Sequence, residues 1–507
     1  MNQVRAGAVL SYVSLFLTTF LGVVYTPFML RQMGQSEFGL YSLAASVIAY
    51  LTLFDFGFGN AVVRFTAKFR AEGKVREQYE MFGLFLLLYC AIAVLAGTAG
   101  WFLCAHAEAM FGATMTAEEL SRARLILGLL AGNLALTFPF TIFRSIITAY
   151  EDFVFQRLVN IARILLQTGI MIPLLLWGYK AVALSVLLTV LNMATMAADT
   201  FYCFRVLRVK VLFTHLRWSL LKEISGYSFY IFLNAVMDRI YWSSGQFILG
   251  HTSGTGATAV YAVAVRLVSF CIAVSGAIPG VLLPKLTAMV ARNSTEKEVS
   301  DLFIRAGRLQ FLIVGLSLAG FAVFGERFVI LWAGAEYAES FPCTLVLMIA
   351  LLPALIQNTG ICVLQARNQL QFRAVLYVLV AVACLALGYA LSWRWGGLGC
   401  ATGTALSLFI GNGVAINLYY WKRMGIDIPG FWRQILKMSL PLIALSGLAL
   451  LVQPKFPDTS VVVYLAKIAV FAGLALPASW FFSMNESERE LVRAPVRGLM
   501  RKAKRFC

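Results

Sequence analysis

The strongest constraint in this chain is a succession of apolar runs, each about as long as a bilayer is thick. A helix rises 1.5 Å per residue, so about 20 apolar residues cross the hydrocarbon core. Fourteen such runs are legible: 7–29, 38–58, 81–105, 124–147, 158–177, 181–203, 225–250, 257–283, 308–324, 342–362, 374–391, 396–420, 438–452 and 461–482. Only 13% of the 507 residues are charged, against about 25% in soluble domains. The sequence therefore predicts an all-α polytopic membrane protein with about 14 transmembrane helices. The loops between runs are too short for an extramembrane domain.

Charge placement supplies an orientation. Lys and Arg accumulate on the cytoplasmic side of membrane proteins. With the N-terminus inside, the segments assigned to the cytoplasm hold 29 of these residues and the opposite side holds six, Arg31, Arg122, Lys180, Arg327, Arg394 and Lys455. A miscounted span would scramble this alternation, so the bias predicts that both termini are cytoplasmic. The net charge of +18 is then a matter of topology and gives no reason to expect a nucleic-acid partner. The basic "RKAKR" at 501–505 is expected to meet anionic lipid headgroups. No cleavage site follows the first run, so it reads as an uncleaved signal-anchor.

The sequence offers little chemistry of other kinds. There is no phosphate-binding G-x-x-x-x-G-K-[ST] loop. The "GTGATA" at 254–259 is placed in a turn between two spans. His106, His215 and His251 have no ligand spacing, and the nine Cys are scattered without a C-x-x-C pair. No cofactor, metal or catalytic constellation is expected, and the protein is not expected to be an enzyme.

A faint internal repeat organises the runs. "GAVLSYVSLFL" at 7–17 parallels "GYSFYIFLNAV" at 226–236, and "LYSLAASVIAY" at 40–50 parallels "VYAVAVRLVSF" at 260–270. Six spans separate the copies, an even number, so both halves share one orientation. The expected organisation is a six-helix lobe over 1–203, a basic cytoplasmic linker at 204–224 and a second six-helix lobe over 225–420. A terminal helix pair at 438–482 and a basic cytoplasmic tail at 483–507 complete it.

Polar residues recur within the runs at steps of three or four, which places them on single helix faces. Ser11, Ser14, Thr18 and Tyr25 form one stripe, Ser42, Ser46 and Tyr50 another, and Asn133, Thr137, Thr141 and Arg144 a third. Asn160, Arg163 and Gln167 follow, then Asn192, Thr195 and Asp199, then Asn234, Asp238 and Tyr241, with Arg239 on the neighbouring face. Such stripes serve either as packing contacts between membrane helices or as the lining of a wet central cavity. Asp238 and Arg239 are adjacent, so their side chains diverge by about 100° and cannot simply neutralise each other. Arg239 and Arg266 fall near mid-span, where an ionisable residue is costly and marks a functional site by default. Arg144 and Arg163 fall nearer the cytoplasmic ends. These four Arg, opposed by Asp238, Asp199 and Asp55, make a candidate cavity biased towards anions. Arg also grips phosphate in a bidentate manner that Lys does not.

At 31–74 the chain reads "RQMGQSEFGLYSLAASVIAYLTLFDFGFGNAVVRFTAKFRAEGK". Its G-x-x-x-[FY]-G-L-Y and D-x-G-x-G-N-A-[VI]-V-R runs resemble the oligosaccharide flippases. These form the polysaccharide-export branch of the multidrug/oligosaccharidyl-lipid/polysaccharide exporter superfamily. The resemblance implies a bacterial inner-membrane protein with two pseudo-symmetric bundles in a V shape, working by alternating access. It implies that undecaprenyl-diphosphate-linked oligosaccharide for O-antigen, capsule or exopolysaccharide moves outward. Membrane lipids and a polysaccharide polymerase or assembly complex are the implied partners. It also implies an Asp shortly before "QFILG"; this chain has Gly245 there, with Asp238 two turns earlier. Two other readings stay open. A drug or cation antiporter of the same superfamily would want an acidic cavity. A membrane polymerase or glycosyltransferase would want a catalytic carboxylate site and a long loop.

The topology is open to a direct test. Reporter fusions at Arg505 should read cytoplasmic and fusions near Glu336 should read external; a reversal of either result refutes the span count.

Overall fold

The computed structural model describes residues 3–214, 219–275, 295–367, 371–456 and 460–486, with positions 289, 292, 369, 488–490 and 493. Parts of the expected features lie outside the described residues: 276–283 of the eighth run, His215, Arg217, and nearly all of the basic tail including "RKAKR".

The chain is all-α. Among the described residues eleven helices are long and apolar enough to cross a membrane. They become twelve when Ser340–Ile356 and Asn358–Leu364, bent by 42° at their junction, count as one span. Two expected runs, 374–391 and 396–420, form successive helices within Phe372–Met424, counted above as one. Its helix is broken at Trp395 and Gly396, where Gly396 takes a φ of 51°. The run expected at 225–250 is the helix Ser219–Thr252, which stands outside the count.

The chain divides into two compact units. The first comprises Met1–Val263, Trp332–Glu339 and Ala381–Gly403. Its helices are α1 (Gln3–Met33), α2 (Gln35–Leu51), α3 (Phe58–Ala71), α4 (Val75–Ala105), the short α5 (Ala107–Phe111), α6 (Ala117–Ala149), α7 (Phe153–Leu176), α8 (Ala181–Arg205) and α9 (Ser219–Thr252). α6 lies at the centre, packed on α2, α3, α4 and α8, while α1 lies along α7 and α2 along α9. Two apolar cores follow from this arrangement. One gathers Leu43, Val47, Phe111, Ile126, Met171 and Leu184; the other gathers Phe65, Phe82, Phe85, Tyr89, Ile142 and Ile146.

The second unit comprises Ala264–Leu331, Ser340–Val380 and Thr404–Cys507. The helix α10 (Gly254–Ser275) begins in the first unit and continues into it. The sequence "GTGATA", expected as a turn, forms the first turns of α10. The unit's core brings α11 (Glu296–Trp332) together with α12 (Ser340–Ile356), α13 (Asn358–Ala366), α15 (Ile416–Met424), α16 (Ile428–Val452) and α17 (Val461–Ala478). The helix α14 (Gln371–Leu408) leads into α15 through a π-helical stretch, Phe409–Ala415.

Two features show how polar groups are accommodated in this apolar chain. Arg308 on α11 is buried, and its Nε and Nη2 reach Glu488 at 2.6 and 2.8 Å. Nη2 also donates to the Ser483 carbonyl at 3.0 Å. The two-pronged geometry and the extra acceptor offset the cost of desolvating both charges. Breaking such a pair strands one charge and costs roughly 3–5 kcal/mol.

The second feature begins with Pro27, inside α1. Proline has no N–H, so the carbonyl four residues earlier loses its helical donor. That carbonyl belongs to Val23, and the indole N–H of Trp332 donates to it at 2.8 Å. An orphaned buried carbonyl costs about 1–3 kcal/mol. Trp332→Phe should therefore lower the thermal midpoint of the purified protein. Adding Pro27→Ala should recover most of that loss, because the restored N–H serves Val23 from within the helix. Additive losses in the double variant would refute the account.

Candidate functional site

The polar stripes divide once their hydrogen bonds are traced. Many hydroxyls fold back onto the carbonyl one turn earlier: Ser11 to Gly7, Thr18 to Ser14, Thr137 to Asn133, Thr141 to Thr137, and Thr195 to Leu191. These groups are satisfied within their own helices. Others join helices. Asn192 of α8 donates to Asn133 at 2.8 Å and Thr137 at 2.9 Å on α6. Asn160 of α7 donates to Ser14 of α1 at 2.9 Å. Tyr50 of α2 bonds Ser244 of α9. The packing role is thus met by Ser, Thr and Asn.

The arginines behave differently. Arg144 near the end of α6 and Arg163 in the first half of α7 lie within electrostatic reach of each other. Arg144 also faces Asp199 of α8, which is buried. Among the described residues Arg163 makes one long bond, 3.4 Å to Asn160. Gln156 closes the cluster, donating to the Arg144 carbonyl at 2.7 Å and to the Thr148 hydroxyl at 2.9 Å. The first unit therefore brings together three of the candidate residues, Arg144, Arg163 and Asp199. Arg144 is exposed, Arg163 half-buried and Asp199 buried, so two guanidinium groups share one carboxylate and leave a positive surplus.

The other candidates stand elsewhere. Arg239 and Asp238 are exposed positions on α9. Arg266 is an exposed position on the part of α10 that belongs to the second unit, with its guanidinium 5.6 Å from the ring of Phe270.

Asp55 follows α2 in a short 3-10 turn, Thr52–Asp55. Its carboxylate accepts from the Tyr89 hydroxyl at 2.9 Å and from the backbone N–H groups of Gly57 and Gly59. Phe56 and Gly57 both take left-handed backbone angles, φ 50° and 77°, so the second position favours glycine. The D-x-G-x-G run thus builds a sharp entry into α3, with Asp55 binding the free N–H groups of the helix start. Phe56 packs on Phe232 of α9 at 5.1 Å between ring centroids.

Gly245 is a packing position. A Cβ built there would stand 2.4 Å from the ring of Tyr261, which is itself buried. No side chain fits without displacing that ring, so the absence of Asp at this position follows from the packing. Sequence reasoning missed three further charged groups. Arg308 and Glu488 form the buried pair described above, and Glu37 of α2 is buried against Arg122 of α6. The signal for Glu37 was available, since it falls inside the G-x-x-x-[FY]-G-L-Y run. Among the described residues no group of three or more His, Cys, Asp or Glu is placed to hold a metal.

A family model described as "Polysaccharide biosynthesis protein" matches residues 4–290. The chain belongs to this family. Its eleven or twelve long apolar helices among the described residues make it a multi-pass helical membrane protein of that family. The uncharacterized membrane protein EpsK of Bacillus subtilis (strain 168) is 23% identical over 431 residues, covering 81% of each chain. Among solved structures, the lipid II flippase MurJ in an inward closed conformation is similar with a TM-score of 0.71 and 17% identity. That likeness covers 96% of this chain and 99% of that one. An inward-facing multidrug transporter of the MATE family is similar with a TM-score of 0.64 and 14% identity, over 82% of this chain and 99% of that one. These likenesses show the fold.

The surroundings of Asp55 yield a test. Asp55→Asn keeps an acceptor oxygen and the shape of the turn, so abundance and transport should both persist. Asp55→Ala should cost about 1–2 kcal/mol of stability, as lost helix caps do, read as a lower thermal midpoint. Loss of transport in a stable Asp55→Asn protein would instead assign the charge to coupling.

Proposed function

We propose that this protein is a flippase that moves undecaprenyl-diphosphate-linked oligosaccharide across the inner membrane by alternating access. The observation that carries this reading is the positive surplus at Arg144 and Arg163 beside Asp199. Two guanidinium groups within electrostatic reach of each other call for an anion, and a diphosphate supplies two adjacent anionic centres suited to their forks. Family membership over residues 4–290 supports a glycan-type cargo. So does the fold shared with a protein named for flipping lipid II.

Arg239 and Arg266 extend the same proposal as further contacts for the diphosphate, with Asp199 and Asp238 as counter-charges. The geometry at Asp55 favours a structural role for that residue. The proposal includes fourteen spans in a two-lobed, V-shaped arrangement, with lobes over 1–203 and 225–420, a linker at 204–224 and a terminal pair at 438–482. It also includes cytoplasmic termini, and a polysaccharide polymerase or assembly complex as partner. A polar cluster with this bias does not suit a cationic drug.

The test is export of the lipid-linked glycan in a deletion strain carrying variants, with membrane abundance measured alongside. A hydrogen bond to a charged group is worth about 1.5–3 kcal/mol. Arg144→Ala and Arg163→Ala should therefore cut export at least tenfold at normal abundance, with the glycan accumulating on the cytoplasmic face. Arg163→Lys keeps the charge but loses the fork, so it should rescue only in part. Normal export by both Ala variants would overturn the diphosphate site.

A further inference from the structure

At the corner joining α7 to α8 the first unit opens a cavity of about 670 Å³. The corner turns at Gly178, whose φ is 87°, and Lys180 then leads into α8. Leu174, Val182, Val186 and Val190 line the cavity floor, and Lys180 stands on its rim. Val186 and Val190 are 43% and 56% exposed, so this side of the floor opens sideways along α8. Trp177 and Tyr179 beside the rim are 74% and 56% exposed. Exposed Trp and Tyr at the end of a membrane helix belong at headgroup level. The rim is thereby placed among headgroups and the floor among acyl chains.

The charges of the cavity are unequal in availability. Glu37 forms its back wall with Arg122. One Glu37 oxygen meets Arg122, and the other accepts from the Ala181 N–H at 3.4 Å. Arg122 is also paired with Glu118. The acid of the wall is therefore already engaged. Lys180 forms no ion pair among the described residues. The result is an apolar trough, open to the bilayer and topped by one available cation.

We propose that this cavity is a binding site for an anionic phospholipid. The phosphate sits at Lys180 and one acyl chain lies along Val182, Val186 and Val190. On the topology proposed above the lipid comes from the outer leaflet. The binding itself does not rest on that topology or on the identity of the transported glycan, and it is read separately from export.

The test is native mass spectrometry of the full-length protein in detergent, titrated with palmitoyl-oleoyl phosphatidylglycerol or palmitoyl-oleoyl phosphatidylethanolamine. One phosphatidylglycerol should remain bound under conditions that strip the phosphatidylethanolamine. Lys180→Ala should weaken it about fivefold, the worth of one basic residue near an anionic headgroup, and Lys180→Arg should restore it. Val186→Trp fills the floor at a partly exposed position and should abolish the adduct without changing the thermal midpoint of the lipid-free protein. Val190→Trp repeats this test one turn further along. Three results would each overturn the proposal: equal retention of the two lipids, an adduct indifferent to both Lys180→Ala and the Trp variants, or displacement of phosphatidylglycerol by equimolar undecaprenyl phosphate.

Discussion

Inside a bilayer an unpaired backbone carbonyl has no water to turn to, and the architecture of this chain depends on that fact. Only helices keep their backbone bonds within the segment, and the described apolar runs are helical apart from short breaks such as Phe56–Gly57. The same demand decides what happens where a helix is interrupted. Pro27 breaks the ladder of α1, and Trp332 completes it from a distant part of the sequence. The stripes of Ser and Thr respond to the demand in a gentler way, by turning their hydroxyls onto the previous turn of their own helix.

Charged groups face a harsher form of the constraint, and the structure answers it in two ways. Arg308 with Glu488 and Glu37 with Arg122 are closed arrangements, in which each ion meets its opposite and further hydrogen bonds complete the shell. Arg144 and Arg163 form an open one: they stand near each other, with Asp199 as the carboxylate facing Arg144. A closed pair holds helices in place. An open cluster needs water or a ligand near it, and this is the ground on which the diphosphate site is proposed there. The same reasoning separates Asp55 from Asp199, although both are acids within apolar runs. Three donors converge on Asp55 and make it part of a turn.

The helices were legible because lipid imposes a length and a composition on every span. The runs 374–391 and 396–420 read as separate, and the non-helical backbone at Trp395 and Gly396 parts the two helices there. The cluster at Arg144, Arg163 and Asp199 was legible in part. Each residue stood on a polar stripe, but nothing in the spacing within one helix says which stripes face each other. The buried pairs were not legible, because Arg308 and Glu488 are 180 positions apart and Glu37 and Arg122 are 85 apart. Glu488 in particular was hidden by its neighbours, since one of three closely spaced acids, Glu486, Glu488 and Glu490, reads as solvated. The substitution at Gly245 was visible as a departure from the family pattern. Its cause, the ring of Tyr261, needed the fold.

The first unit is not contiguous in sequence, and this has a consequence for biogenesis. Its first 263 residues are joined by Trp332–Glu339 and Ala381–Gly403, so it cannot be finished in the order in which it is made. Membrane segments enter the bilayer as they leave the ribosome, and domains made early generally fold first. Here α1 must wait through the synthesis of some three hundred residues before the indole that completes it exists. During that interval the Val23 carbonyl lies in the membrane with its final donor still unmade. The insertion machinery, or a transient neighbour helix, must shelter it until Trp332 arrives.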